Sequence, residues 1–113
     1  MGLEPDWKRC LERAGWDETY PFGSWIYVAQ VGDLYKIGHS CDPRRRMKEI
    51  ANNCGHFPSL VMSREVRNST AVEKALHDYF GRKRTYGEWF VLDHQDLVFI
   101  HAALSDVALF PGR

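Results

Sequence analysis

Residues Trp25 to Arg46 read W-I-Y-V-A-Q-V-G-D-L-Y-K-I-G-H-S-C-D-P-R-R-R, a hairpin running directly into a basic helix. Val28–Val31 and Leu34–Ile37 are strand-like, and Gly32-Asp33 between them suits a two-residue turn. Such a turn sets the register: Val31 faces Leu34, Gln30 faces Tyr35, Ala29 faces Lys36, Val28 faces Ile37 and Tyr27 faces Gly38. Side chains alternate along a strand. Ile26, Val28, Tyr35 and Ile37 therefore share one mostly apolar face, the expected core side. Tyr27, Ala29, Lys36 and Gly38 share the other. There Tyr27 and Lys36 are diagonal neighbours, and Gly38 leaves the space above it empty. A phenol, an ammonium and bare backbone on one face suit a ligand better than a core.

The helix after the hairpin opens at Asp42-Pro43, an N-cap acid followed by proline at the first helical position, and is expected to end near Asn52 or Asn53. Pro43, Met47, Ile50 and Cys54 recur at helical spacing and mark its buried stripe. Arg46 lies on the rim of that stripe, the best placed of the three arginines to reach over the sheet edge. Arg44 flanks the stripe on its other side, while Arg45 and Lys48 read as a solvated basic face.

Outward from this unit, Pro5 to Ala14 suits a short helix stopped by Gly15, and Trp16 to Gly23 a connector bracing the sheet. Phe57 to Val66 suits a third strand with Leu60 to Met62 as its apolar centre. A helix from Ala71 to about Lys83 follows, and Thr70-Ala-Val-Glu73 matches a capping box. Glu73 is thus either a capping acid or a functional carboxylate, and with His77 four residues on it shares a helix face. Arg82 to Gly87 reads as a basic loop, Glu88 to Leu92 as a short extended segment, and His94 to Leu109 as a final helix facing Leu97, Ile100, Ala103 or Leu104 and Val107 inward. The fold class is α+β: a small antiparallel sheet flanked by helices, in one domain. Residues 1–23 form a helix and connector, 24–97 the core, and 98–113 the C-terminal helix packed on it.

Composition bounds the partners. The 113 residues are 44 % hydrophobic, enough for a packed core, and the formal net charge is zero. A balanced chain argues against sequence-blind polyanion binding, but the basic residues cluster locally, at Arg44–Lys48 and at Arg82, Lys83 and Arg84. No apolar run is long enough for a membrane span and no signal-peptide pattern is seen. Three cysteines without a close pair fit a reducing cytoplasm. His39, Cys41, Cys54 and His56 offer zinc-ligand chemistry at unusual spacing; the plainer alternative is two small buried thiols and two loop histidines.

Together these residues resemble the GIY-YIG nuclease superfamily, over about residues 24–97. Trp25-Ile-Tyr27 matches its first motif, and Lys36-Ile-Gly38 its second, with Lys in place of Tyr. Arg46 and Glu73 stand where the superfamily's helix arginine and metal-binding glutamate are expected. The later series Glu73, Leu76-His77, Phe80 and Gly87-Glu-Trp-Phe90 looks like a short stand-alone branch of phages and bacteria with a Tyr-Lys-Ile-Gly core. The resemblance implies a central three-stranded antiparallel sheet and a metal-dependent endonuclease acting on nucleic acid, DNA first. It implies one Mg²⁺ or Mn²⁺ on Glu73, Arg46 on a phosphate oxygen, and a water activated near Tyr27 and Lys36 or by His39. Tyr35, Gly38, Arg44, His77 and Glu88 are expected around the site, and Arg45, Lys48, Arg82, Lys83 and Arg84 as a patch for the nucleic-acid backbone. Lys36 is expected either to favour the phenolate of Tyr27, since a nearby cation stabilises that anion, or to orient the water or screen the phosphate. Two alternatives share the fold: a nucleic-acid-binding module without cleavage, and a protein-interaction or regulatory domain. Oligomeric state stays open, a dimer included.

Overall fold

The hairpin forms in the expected register, with Val31 opposite Leu34, Ala29 opposite Lys36 and Tyr27 opposite Gly38. It is the centre of the computed structural model, which describes residues 5–110. Its strands are β1 (Gly23–Val31) and β2 (Leu34–Ser40). Gly32 takes a left-handed φ of 59°, as a tight hairpin turn requires. On the free side of β1 lies β3 (Ser59–Arg67), antiparallel to it, with Val61 an extra residue where the register shifts. On the free side of β2 lies β5 (Trp89–Phe90), followed by the outermost strand β4 (Arg84–Tyr86).

The sheet therefore has five strands in the order β3-β1-β2-β5-β4, all antiparallel, and not the expected three. The basic loop expected over Arg82 to Gly87 contains a strand. All three residues of β4 are exposed, so they show no alternation that would betray it. Gly87, at φ 54°, turns β4 back into β5.

Helices α1 (Pro5–Ala14), α3 (Ser69–Tyr79) and α4 (His94–Asp106) cover one face of the sheet. Ile26, Val28 and Ile37 point there, among Trp7, Leu76, Phe90, Ile100 and Leu104. Helix α2 (Pro43–Cys54) covers the opposite face, placing Met47 and Ile50 on Tyr27 and Ala29. The helix starts as expected, with Asp42 accepting from the Arg45 N–H. It ends one residue beyond the expected range, because Gly55 supplies the left-handed cap.

Several expectations are corrected. Cys54 is exposed rather than on the buried stripe, and Cys41 is exposed as well, so neither is a small buried thiol. Leu60 and Val61 are partly exposed on an edge strand, and the fully buried residue of β3 is Val66. Helix α3 begins two residues early and stops at Tyr79, with a 3₁₀ turn at Gly81–Lys83. Its N-cap is Asn68, in a left-handed conformation, whose side chain accepts from the Ala71 N–H. The Thr70–Glu73 capping box is thereby displaced, and Glu73 is no capping acid. Helix α4 ends at Asp106, and the chain after it bridges to β3 through Val66 and Ala108. Among the described residues no helix is long and apolar enough to cross a membrane.

Candidate functional site

Tyr27 is fully buried beneath α2, on the hairpin face opposite the main core. Its ring lies directly over Gly38: a Cβ there would stand 2.4 Å from the Tyr27 hydroxyl oxygen. The space above Gly38 is therefore filled by Tyr27 itself, and not left for a ligand. Any side chain at position 38 would drive the ring out.

Arg46, from the first half of α2, reaches the phenol. Burial pushes the Tyr27 pKa up, and the Arg46 guanidinium pulls against that shift without reversing it. The carboxylates of Glu88 and Glu73 push it up further. The expected depression by Lys36 is thus overturned: the cation acting on the phenol is Arg46, and desolvation wins. The phenol attracts the guanidinium strongly enough to raise the Arg46 pKa, yet the Tyr27 hydroxyl and Arg46 Nε miss the distance or angle of a full hydrogen bond. Among the described residues three buried side-chain polar atoms lack a partner, and these are two of them. Arg46 Nη1 meanwhile donates to Glu49 Oε1 at 3.0 Å. Glu49 was not among the expected residues, although its position three after Arg46 and four after Arg45 is a readable pairing signal.

Lys36 is held from two sides. Its Nζ is 3.0 Å from Glu88 Oε1 and 5.5 Å from the centre of the Trp89 ring. The β2–β5 register that pairs Lys36 with Trp89 produces both contacts. Trp89 also packs against the Tyr27 cluster.

His39 faces α3, as strand parity demands, because β2 continues unbroken to Ser40. It nevertheless meets a candidate residue: its Nδ1 lies 3.1 Å from Glu73 Oε1. Glu73 therefore pairs across to β2 and not along its own helix to His77. His77 uses its Nε2–H instead, donating to the Ile37 carbonyl at 2.8 Å, with its ring against Phe90. That bond fixes α3 to the hairpin. Tyr35 packs on the main core.

Tyr27, over Gly38, is thus the hub: Arg46, Glu88 and Glu73 all act on its phenol, Lys36 is attached through Glu88, and His39 through Glu73. The basic patch is dispersed by comparison. Arg45 is 3.9 Å from Glu49. Lys83 is tied to Asp93 and Asp96, the capping pair of α4, so it secures that helix. Arg84 stacks over Phe90. Arg44, Lys48 and Arg82 are exposed and have no ion-pair partner among the described residues. The zinc arrangement is not formed: among the described residues no three His, Cys, Asp or Glu side chains converge. Cys54 donates to the His56 carbonyl instead, closing a local turn after α2. Glu73 still offers a half-buried carboxylate, and a single carboxylate completed by water and phosphate oxygens suits Mg²⁺.

No curated protein and no solved structure matches the chain. The T5orf172 domain model matches residues 24–105, most of the chain and every residue of the cluster around Gly38. The chain belongs to the T5orf172 domain family, a family of phage-type, nuclease-like domains.

Proposed function

We propose that this protein is a metal-dependent endonuclease of GIY-YIG type, hydrolysing phosphodiester bonds in nucleic acid, DNA first. The observation that carries the proposal is the pair of unsatisfied buried atoms, Tyr27 hydroxyl and Arg46 Nε, beside the carboxylates of Glu73 and Glu88. Buried polar groups are almost always paired, and orphans mark sites completed by something the fold does not supply. Here the buried Nε faces the equally buried phenol oxygen, and the half-exposed end of the guanidinium, now on Glu49, is the part a phosphate reaches: it exchanges Glu49 for a non-bridging oxygen on the planar fork.

Glu73 would hold one Mg²⁺ or Mn²⁺, which when bound would neutralise charge on the phosphate and its leaving oxygen. Tyr27, with its pKa raised, stays a neutral phenol at neutral pH and orients the attacking water rather than deprotonating it. Lys36, fixed by Glu88 and Trp89, supplies positive charge beside it. His39 is the proton acceptor, since imidazole is the side chain suited to that task near neutrality. Its contact with Glu73 sets the ring's orientation.

The test is nicking of supercoiled plasmid with Mg²⁺ or Mn²⁺. Wild type is expected to nick, and Glu73→Ala and Arg46→Ala to lose about a thousandfold while staying folded by circular dichroism, the scale of losing a preorganised charge-stabilising group. If both variants nick as well as wild type, the site is wrong. A binding module on the same fold is the second reading, favoured by Arg44 and Lys48, which have no ion-pair partner among the described residues. It takes over if wild type binds DNA and nicks with neither metal.

A further inference from the structure

Helix α2 has a second flank, facing β3 and away from the cluster around Gly38. A groove runs along it. One stretch is lined by Trp25, Asp42, Pro43 and Arg44, and the next by Met47, Lys48 and Phe57. Arg44 and Leu60 belong to both stretches, so the two are continuous. Phe57 is 68 % exposed and stands in the groove beside the partly exposed Leu60, so the groove wall is an apolar patch rather than a single ring. The buried Pro58 behind it restricts its backbone to extended conformations, which holds the ring outward.

The charge along the groove is one-sided. Arg44 and Lys48 stand four apart on α2, exposed and without an acidic partner among the described residues. The acid at the Trp25 end, Asp42, is occupied in capping α2. A second copy of this chain is a poor occupant, because an isologous contact would bring these cations towards their own copies. A polyanion with flat, stackable groups fits both features. Single-stranded nucleic acid has these properties: its bases stack on exposed aromatic rings and its backbone follows basic grooves. Duplex keeps its bases stacked on one another, out of reach of Phe57.

We propose that the α2–β3 groove holds a single-stranded segment of nucleic acid, with one base stacked on Phe57 and its phosphates on Arg44 and Lys48. The Trp25 end of the groove opens beside Ser40 and Cys41, at the end of the strand that carries Gly38 and His39. A strand leaving the proposed cleavage site can therefore turn around the start of α2 into the groove. The segment is then the unpaired arm of a branched or frayed substrate, an inference that rests on the endonuclease reading only for that last step.

The test is fluorescence anisotropy with labelled oligothymidylate and with a duplex of equal length, in EDTA so that no cleavage intervenes. Phe57→Ala is expected to weaken single-strand binding about tenfold, the scale of one base–aromatic stack, and to leave duplex binding unchanged. The double variant Arg44→Gln/Lys48→Gln should reduce the salt dependence of single-strand binding by about 1.4 in log–log slope, for two phosphates released. Both sites are exposed, so both proteins should melt as wild type does. Unchanged single-strand affinity in both variants overturns the groove, whether or not wild type nicks plasmid. Loss of binding in Phe57→Ala with no nicking by wild type supports the groove and removes the endonuclease reading. Equal weakening on duplex and single strand, or a wild-type dimer in sedimentation that Phe57→Ala dissolves, also overturns it, the latter in favour of a second copy.

Discussion

The two faces of the hairpin contrast. On the α1–α3–α4 face, Ile26, Val28 and Ile37 sit fully buried among apolar neighbours; His77 has its bond, to the Ile37 carbonyl, and the one buried side-chain polar atom without a partner among the described residues is Trp7 Nε1, a lone indole N–H set among aromatic rings. On the α2 face, Tyr27 is equally buried, yet its hydroxyl and the nearby Arg46 Nε have no partner. The first face is optimised for folding. The second carries polar groups whose burial costs stability, and such a cost persists where function needs it. Neither burial nor an unpartnered atom separates them by itself; the difference is that on the α2 face two such atoms lie together, one of them on a charged group, with the carboxylates of Glu88 and Glu73 acting on the phenol.

The comparison can be broken first on the stable face. Ile37→Ala is expected to cost about 2–5 kcal/mol, as deletion of a fully buried branched side chain generally does. Nicking per folded molecule should hardly change at temperatures well below its melting point. Urea melts and plasmid assays on the same samples check both halves. A variant that loses activity in proportion to nothing in its melt would mean that the core face takes part in the chemistry.

Next comes the hinge between the faces, Gly38. An added methyl meets the Tyr27 ring at 2.4–2.9 Å, so Gly38→Ala must displace it. Overpacking of this kind costs about 1–3 kcal/mol. Here stability and nicking should fall together, and tyrosine fluorescence should report the displaced ring. The double variant Gly38→Ala/Tyr27→Leu should recover much of the stability and none of the activity. Failure to recover stability would show that strain at Gly38 has a source other than Tyr27.

Much of this contrast was legible in the sequence, and the exceptions have physical reasons. Gly32-Asp33 set the register because a two-residue turn leaves no slack, and alternation then separated Tyr27 from Ile26 and Val28. Asp42-Pro43 and the Met47–Ile50 spacing likewise placed α2. Alternation cannot say what a face meets, so Tyr27 was expected to front a ligand and instead lies beneath α2. Nor can a local motif rank itself against a competitor: Thr70–Glu73 scores as a capping box, but Asn68, tolerant of left-handed backbone, caps two residues earlier. That shift frees Glu73 for His39. Strand β4 escaped because its three residues are exposed and its pairing is supplied wholly by β5.

Tyr27→Phe sharpens the comparison further. Removing an unpartnered buried hydroxyl should leave stability within about 1 kcal/mol of wild type, or raise it. Nicking should fall about a hundredfold, as for loss of one preorganised donor. The phenol also predicts an alkaline signature. Its folded pKa is raised above the ordinary value of about 10, so the native state holds this proton longer than the unfolded chain. The associated stability is present below pH ~10 and is lost as pH climbs through the folded pKa. Tyr27→Phe should flatten that part of the stability–pH curve. An unchanged curve would mean the phenol ionises as freely folded as unfolded.

The smallest expected effect concerns Glu49, which accepts from Arg46 Nη1. The pair is half exposed, so Glu49→Gln should shift stability by no more than about 0.5 kcal/mol. It removes a negative charge from the guanidinium proposed to grip the substrate, and so lifts a competitor for the incoming phosphate. DNA affinity in EDTA should therefore rise a few-fold at low salt, and the gain should shrink as salt screens the exposed charges. Arg46→Ala/Glu49→Gln separates this from a general loss of negative charge. If Glu49 acts only by competing for Arg46, the few-fold gain vanishes in the double variant. If the gain persists there, Glu49 repels the backbone directly, and Arg46 is not the group it restrains.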